Sequence, residues 1–379
     1  MEVAIIGAGL GGLATAIALR KHGISVQIYE RARELRAIGA GLTVAPNGLK
    51  ALAAIDPGIV ARLLELGSQN RHFQLRKAGG ELIAAMATTY MARYRQPALN
   101  ILWSNLQQTL AGFVPPDSIH LSHRLIGIER AADRPVLQFD GREPVTADLV
   151  VGADGINSAV RQAIINDGPP RYAGRLSWRG VIRCEHPSLL PDEVTFFAGD
   201  GKNFAVFDVG GGLTFWSATV LWPDPPVPGD AAAAKSRVTE AFAGWTSPIP
   251  EILATTPPDD VVERPIEDRT PLTHWSSGPV TLLGDAAHAM VPSLGQGANT
   301  AFEDAWELAQ SLASQPTIEA ALLQYEESRI PRTQVINARS ADQGSRYYEA
   351  DNEVFSRGIL ERATAGQQEF EDWLYGYAP

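Results

Sequence analysis

The sequence predicts an α/β protein: a parallel-sheet domain interrupted by an antiparallel-sheet segment and followed by C-terminal helices. Three observations carry this. The chain opens on strand, glycine turn, helix and strand. Two later apolar runs, residues 148–151 and 280–283, each end in a turn holding glycine and aspartate. Between them, from about Arg175 to Leu221, lie alternating aromatic-rich segments separated by glycine turns.

The opening unit comes first. Residues 2–6 are a β-rich apolar run, residues 13–22 are rich in Ala, Leu and Ile, and Gly23 is a helix stop. Residues 25–29 read as a second strand, so this is a βαβ unit with a parallel, Rossmann-like sheet. "GAGLGG" sets Gly7, Gly9 and Gly12 at G-x-G-x-x-G spacing, and Glu30 closes the second strand 18 residues beyond Gly12. The first glycine permits the tight turn, the second admits a pyrophosphate to the backbone, and the third lets helix and strand pack closely. A carboxylate at Glu30 accepts hydrogen bonds from ribose hydroxyls. The plainer alternative is a glycine-rich turn with Glu30 solvated. The uncharged stretch 3–19 is short for a membrane span, holds four glycines and lacks a basic leader, so it is not an anchor.

The middle segments "RLSWRGVIR", "EVTFFAG", "NFAVFDVG" and "LTFWSATVL" predict antiparallel strands. A proline-rich loop, 223–228, follows. Helical spacing then returns: Phe302, Ala305, Trp306 and Ala309 form one face, with Glu303, Asp304 and Glu307 opposite. Residues 318–346 predict a long helix kinked at Pro331, and the tail is helical and acidic. The expected division is a discontinuous nucleotide-binding domain (1–70, 98–170 and 272–345), an inserted substrate domain (71–97 and 171–271) and a helical tail (346–379).

Composition narrows the function. The formal charge of −11 argues against nucleic acid and anionic membranes as partners. Cys184 is the sole cysteine, which excludes an intramolecular disulfide and a thiolate metal cluster and makes the cytoplasm the expected compartment. His120 and His123 have no further ligands in pattern, so no metal is expected. His288 reads as a satisfied structural group, not a base, and Cys184 as a strand residue, not a nucleophile. Ser293 lies in no G-x-S-x-G turn. Trp373, Tyr375 and Tyr377 read as packing that ties down the tail.

"GAGLGG", "VVGADGINSAVR" and "LLGDAAHAMVPSLGQGANTAFEDA", in this order, resemble the FAD-dependent aromatic hydroxylases of the para-hydroxybenzoate hydroxylase type. The resemblance runs from residue 2 to about 345 and includes "YERA", "IGAGLTVAPNGLKAL" and "YEESRIPRT". It is nearest to urate hydroxylases, salicylate or nicotinate hydroxylases and zeaxanthin epoxidases.

The resemblance implies a discontinuous, Rossmann-like FAD-binding domain and a non-covalent FAD. Gly7, Gly9 and Gly12 would hold the pyrophosphate, and Glu30 with Arg31 the adenosine ribose. Leu125 would lie near the adenine through its backbone. Asp154 would serve FAD and the nicotinamide cofactor, and Asp285 the ribityl–pyrophosphate region. Gly295, Gln296, Gly297, Ala298 and Asn299 would line the isoalloxazine, with the helix that begins there favouring reduced, anionic flavin. Relatives begin the helix near residue 103 with an arginine; here the stretch is Trp103-Ser104-Asn105-Leu106. The expected reading is a tolerated swap, with Arg36 or Arg161 in compensation.

The implied activity is an NAD(P)H- and O2-dependent monooxygenase that oxygenates an electron-rich small molecule through a flavin hydroperoxide, with no catalytic side chain required. Epoxidation of an isoprenoid or polyene, or a degenerate flavin-binding partner subunit, are the alternatives. Pocket candidates are Asn203, Ala205 and Phe207 on one strand, Leu213 and Phe215 on the next, and Pro292. Urate-hydroxylating relatives carry an arginine and a tyrosine where this chain has Asn203 and Phe215. A urate-like anion therefore lacks its charge partner there, and an apolar aromatic or terpenoid substrate is expected.

Overall fold

A computed structural model of the chain describes residues 1–35, 40–131, 134–183, 186–226, 229–346 and 365–379; Arg36 and Cys184 lie outside them. The opening unit is β1 (Glu2–Ile6), α1 (Leu10–Lys21) and β2 (Ser25–Tyr29). Next come β3 (Gly41–Val44), α2 (Pro46–Ile55), α3 (Pro57–Leu66) and β4 (Ser68–Gln69). The pair β5 (His72–Lys77) and β6 (Leu82–Ala87) precedes α4 (Tyr90–Tyr94), β7 (Leu99–Leu102) and α5 (Trp103–Gly112). Then follow β8 (Ile119–His120), β9 (Leu125–Ala131), β10 (Arg134–Phe139), β11 (Val145–Thr146), β12 (Leu149–Gly152) and α6 (Ala159–Ile164). The aromatic-rich middle forms β13 (Arg171–Ile182), β14 (Glu193–Gly199), β15 (Lys202–Asp208) and β16 (Thr214–Leu221), continuing into α7 (Ala231–Ala241), α8 (Ile249–Thr255) and β17 (Val262–Asp268). The chain closes with β18 (Val280–Leu282), α9 (Asp285–His288), α10 (Gly297–Ser314), α11 (Ile318–Arg346) and α12 (Ala365–Tyr375).

The strands β18-β12-β1-β2-β8 form a parallel sheet. Val3, Ile5, Val26, Ile28, Leu149, Val151 and Leu282 are buried in it, as strands covered on both faces require. Strand order reverses at β1, which has β2 on one side and β12 on the other. The crevice beyond the carboxyl ends at such a reversal is where ligands bind in this architecture.

A seven-stranded sheet, β17-β13-β16-β15-β14-β5-β6, gathers strands from both flanks of the parallel unit. It is antiparallel as expected, save for one parallel pair, β14 with β5. Trp178, Phe204, Val206 and Trp216 point to one face and pack with Val238, Phe242 and Ile252 of the α7–α8 region as a second core. Strand alternation sends Phe207, Phe215 and their row-mates to the other face.

The C-terminal helices correct one expectation. Glu303 and Asp304 do not lie on a solvated face; both are fully buried. The periodicity assumed that α10 buries one side only, whereas it packs against α1, α2 and α11 together. Their charges are met by α11: Arg329 lies 2.7 Å from Glu303 and 2.8 Å from Asp304, and Arg332 lies 2.6 Å from Glu303. Burial pushes both carboxyls up, but the cations outweigh it: Arg329 and Arg332 hold Glu303 below the ordinary carboxylate range, and His288 with Arg329 does so for Asp304. The tail docks on the same assembly. Arg332 donates to the Leu374 carbonyl, Lys50 to that of Tyr375, and the Tyr377 hydroxyl to Glu307. Tyr375 and Tyr377 thus pack against the body of the protein, whereas Trp373 is exposed, with the Arg332 guanidinium 4.5 Å over its ring. No helix among the described residues is long and apolar enough to cross a membrane.

Removing one partner of this cluster leaves a buried charge uncompensated. Arg329→Met is expected to cost about 3–5 kcal/mol in urea unfolding. Because both carboxyl pKa values are lowered on folding, their contribution is present above the unfolded carboxylate range, near pH 4, and is lost as pH falls below it. A wild-type midpoint that does not fall between pH 5 and pH 3 would contradict this.

Candidate active site

The ends of β1, β12 and β18 are laced together. Ala153 N–H donates to the Ile6 carbonyl (2.9 Å), and Leu283 N–H to that of Gly152 (2.9 Å). The three glycines of the first turn then have separate reasons. Gly7 has φ +107°, and a Cβ there would stand 2.5 Å from the Ala153 carbonyl oxygen. A Cβ on Gly12 would stand 2.1 Å from the Gly7 oxygen. A Cβ on Gly9 would meet no protein atom within 4 Å, so protein packing does not require glycine there. Gly9 is also the N-cap of α1 and offers no side chain to its free N–H groups. An open, uncapped helix start beside a backbone stripped of side chains fits a pyrophosphate.

Peptide groups of this turn are gripped from both sides. The Glu30 carboxylate accepts from Ala8 N–H and Ala32 N–H, both at 2.8 Å, and Gln107 of α5 donates to the Ala8 carbonyl at 2.8 Å. Gln107 was not legible in advance, because nothing in the pattern of α5 marks that face. Arg31 is exposed. The Leu125 side chain is buried in the main core, while residues 122–123 lie along the backbone of Glu30 and Ala32.

Asp154 organises the next turn. Its carboxylate accepts from the Ser158 hydroxyl, from Ala159 N–H at 2.7 Å and from Val160 N–H at 3.3 Å, an N-terminal cap for α6. Arg161 is fully buried and committed: it pairs with Asp167 and donates to the carbonyls of Ala286, Ala287 and Thr270. The expectation that Arg161 compensates for Trp103 therefore fails, since its guanidinium holds the turn after Asp285. Trp103 packs partly buried against the main core, and its backbone N–H donates to the Ala40 carbonyl at 2.8 Å.

Asp285 is different. Among the described residues no hydrogen bond or ion pair engages its carboxylate, which is open to the crevice. One oxygen lies 3.6 Å from the position a Cβ on Gly297, the first residue of α10, would take. Surrounding protein pushes its pKa up, and His288 offsets only part of that. His288 itself is buried with Nε2 2.6 Å from Asp304, a structural group.

The loop before α10 is held by its own side chains. Asn299 is fully buried; its Oδ1 accepts from Ala45 N–H (2.9 Å) and its Nδ2 donates to the carbonyls of Thr43 (3.2 Å) and Gly295 (2.8 Å). Gln296 is buried and accepts from Asn47, while its Nε2 lacks a partner. Pro292 and Gly295 are exposed, Gly297 and Ala298 half-buried, and α10 starts without a side-chain cap.

The pocket candidates share one face. Register sets Phe207 opposite Phe215, Ala205 opposite Ser217 and Asn203 opposite Thr219, so these rows point the same way. The Phe215 ring lies directly on Gly41, where a Cβ would come within 2.6 Å of Cγ, and Phe207 is 5.4 Å from it centroid to centroid. Leu213 is half-buried in the turn before β16. Arg179 of β13 stands opposite Ser217, on the same face. Two cavities of about 430 and 650 Å³ open on the face carrying Glu193, Thr195 and Val206, and Leu213 lines the second of them, not the face of Phe207 and Phe215.

The sequence model of a family described as "FAD binding domain" matches residues 1–340. The aurachin C monooxygenase/isomerase of Stigmatella aurantiaca is 35% identical over 88% of this chain and 86% of its own. The 3-amino-4-hydroxybenzoate 2-monooxygenase PtmB3 of Streptomyces platensis is 32% identical over 99% of this chain and 96% of its own. The structure of Klebsiella pneumoniae HpxO complexed with FAD and uric acid superposes with a TM-score of 0.89, at 28% identity, over 97% of this chain and 94% of that one.

Two variants separate fold from cofactor. Gly9→Ala meets no protein atom and should leave thermal stability of the apoprotein unchanged while cutting FAD occupancy severalfold, because the methyl faces the phosphates. Asp285→Ala should lose FAD while staying soluble, deleting charge-assisted hydrogen bonds of about 1.5–3 kcal/mol each. Full flavin occupancy in either purified protein, read from its absorbance, would refute the corresponding role.

Proposed function

The chain belongs to the FAD binding domain family and is an FAD-dependent monooxygenase, and from that premise we propose that it hydroxylates an electron-rich aromatic small molecule, with NAD(P)H as electron donor and O2 as oxygen source. One observation carries the aromatic reading. Phe215 covers Gly41, and Asn299 bonds Thr43, so the aromatic wall and the loop before α10 meet two residues apart on β3. Relatives that act on an aminohydroxybenzoate and on urate support a planar ring as substrate.

Bound FAD supplies the redox and oxygen chemistry. The chain's residues do the rest. Gly7, Gly9 and Gly12 with the start of α1 bind the pyrophosphate, and Glu30, with Arg31 nearby, orients the adenosine ribose beside Leu125. Asp154 sets the turn that faces the nicotinamide path, and Asp285 takes the ribityl hydroxyls. Gly295, Gln296, Gly297 and Ala298 present backbone to the flat ring, and Asn299 fixes that loop. The uncapped start of α10 favours negative charge there. Phe207, Phe215 and Pro292 cover the ring and exclude water, with Asn203 and Ala205 deeper on the same face. No side chain here is poised as nucleophile, and none is needed. Residues 1–70, 98–170 and 272–345 form the FAD-binding part, 71–97 and 171–271 the substrate part, and 346–379 the tail.

The test is a turnover experiment with 18O2. NAD(P)H oxidation should accelerate when an aromatic substrate is added, and the product should gain one labelled oxygen on the ring. Consumption that never rises with any phenol, aromatic acid or indole, or a product without label, would reject hydroxylation.

A further inference from the structure

The face of the seven-stranded sheet turned away from Phe207 and Phe215 is only partly covered. Val206 and Trp216 on that face pack into the second core. Their row continues through Thr195 of β14 to Gln74 of β5, and there the two cavities open. Pro187, Leu189, Leu190, Glu193 and Thr195 line both cavities, so Glu193 stands where they meet. Glu193 is only 7% exposed. Its oxygens accept from neutral groups: Oε2 from Gln74 Nε2 at 2.8 Å, and Oε1 from the Thr195 hydroxyl at 3.0 Å. Among the described residues no ion pair engages it. The cations nearby are held elsewhere. Arg76 donates to Gln74 Oε1 at 3.0 Å and to the Gly80 carbonyl at 2.9 Å, so it meets Glu193 only through an amide. Arg183 lies over the turn at Gly212, where Asp208 accepts from Gly210 N–H. His186 has both ring nitrogens engaged, by Ser188 N–H and the Ser247 hydroxyl.

A buried carboxylate with neutral partners alone is costly, and a ligand that brings a cation relieves it. Each carboxylate oxygen can accept two hydrogen bonds, so Glu193 keeps capacity toward the cavities. Thr195 gives its proton to Glu193 and therefore presents its own oxygen as an acceptor beside it. Two adjacent acceptors, one of them charged, match an ammonium, which has three donors and no acceptor. The walls are apolar: Leu190 is 52% exposed at the mouth, beside Pro187 and Leu189. Cavities of about 430 and 650 Å³ suit a small organic molecule. We infer that Glu193 anchors a second small-molecule site, and that its ligand is a primary amine with an apolar body. The ammonium donates to Glu193 and to Thr195 Oγ, and the body lies along Leu189 and Leu190. Gln74, oriented by Arg76, holds the carboxylate in place. The site opens on the opposite side of the sheet from the aromatic wall, so its ligand and the substrate bind together and do not compete.

The experiment is isothermal titration calorimetry on the FAD-loaded enzyme at neutral pH. The probes are hexylamine and phenethylamine, each paired with its neutral counterpart, hexanol and phenethyl alcohol. At least one amine should bind about tenfold tighter than its alcohol, the ratio that one charge-assisted contact supplies. Glu193→Gln should abolish that difference while leaving FAD content unchanged. Leu190→Arg, a change at an exposed position, should abolish it too, by setting a fixed cation at the mouth. If Glu193→Gln does not fold, Leu190→Arg decides alone. Amine affinity should be the same in Phe215→Ala as in the wild type. Equal affinity for amines and alcohols, or an amine preference that survives in folded Glu193→Gln or in Leu190→Arg, would overturn the inference. So would loss of amine binding in Phe215→Ala, which would put the probe in the flavin crevice.

Discussion

Two adjacent carboxylates, Glu303 and Asp304, hold the crevice in shape from inside the protein. Both are fully buried, a state that only close cations can stabilise. α11 brings Arg329 and Arg332, one turn apart, to meet them. The remaining oxygen capacity of the carboxylates is then spent on positioning. Asp304 takes Gly284 N–H and His288, which fixes the turn presenting Asp285. Glu303 accepts from Asn47, which also donates to Gln296, so α2 is tied both to α10 and to the loop before it. Further along α11, Ser340 and Asn337 hold the carbonyls of Val291 and Ala289. The segment 284–296 is thereby set by side chains of both α10 and α11.

What faces the crevice is mostly backbone. The turn glycines, the uncapped starts of α1 and α10, and the Asp285 carboxylate, which nothing among the described residues engages, line it. Such a site binds a dianionic pyrophosphate without a dedicated arginine, using helix dipoles and N–H groups. This gives Trp103 a physical context: the chain places no arginine at the start of α5, and Arg161 is occupied elsewhere.

The βαβ unit, the two later strand ends and the aromatic strands were all readable, because each is a local pattern: glycine spacing, an apolar run, alternation. Glu303 and Asp304 were misplaced because helical periodicity reports how many faces are apolar, not how many are covered. The clue lay 25 residues away, in Arg329 and Arg332 at a spacing that matches two successive acids on a packed neighbour. The roles of Asp154 and Asp285 could not be separated by sequence either, since both follow a strand and a glycine. The hydrogen bonds distinguish them: one carboxylate caps α6, and the other has no partner among the described residues.

Substrate polarity was the least legible property, and the reason is geometric. Along β15 itself, Asn203, Ala205 and Phe207 offer this face no cation. A sheet face is two-dimensional, however, and its neighbours are set by register. Arg179 is 24 residues away in sequence yet stands two strands across, in the row between Asn203 and Phe215. A cation absent from one strand can stand on another strand of the same face, as Arg179 does on β13. Linear alignment scores that as a loss. Pairing register scores it as a relocation, and for a face that carries arginines and no acid, the second description is the one that fits the electrostatics.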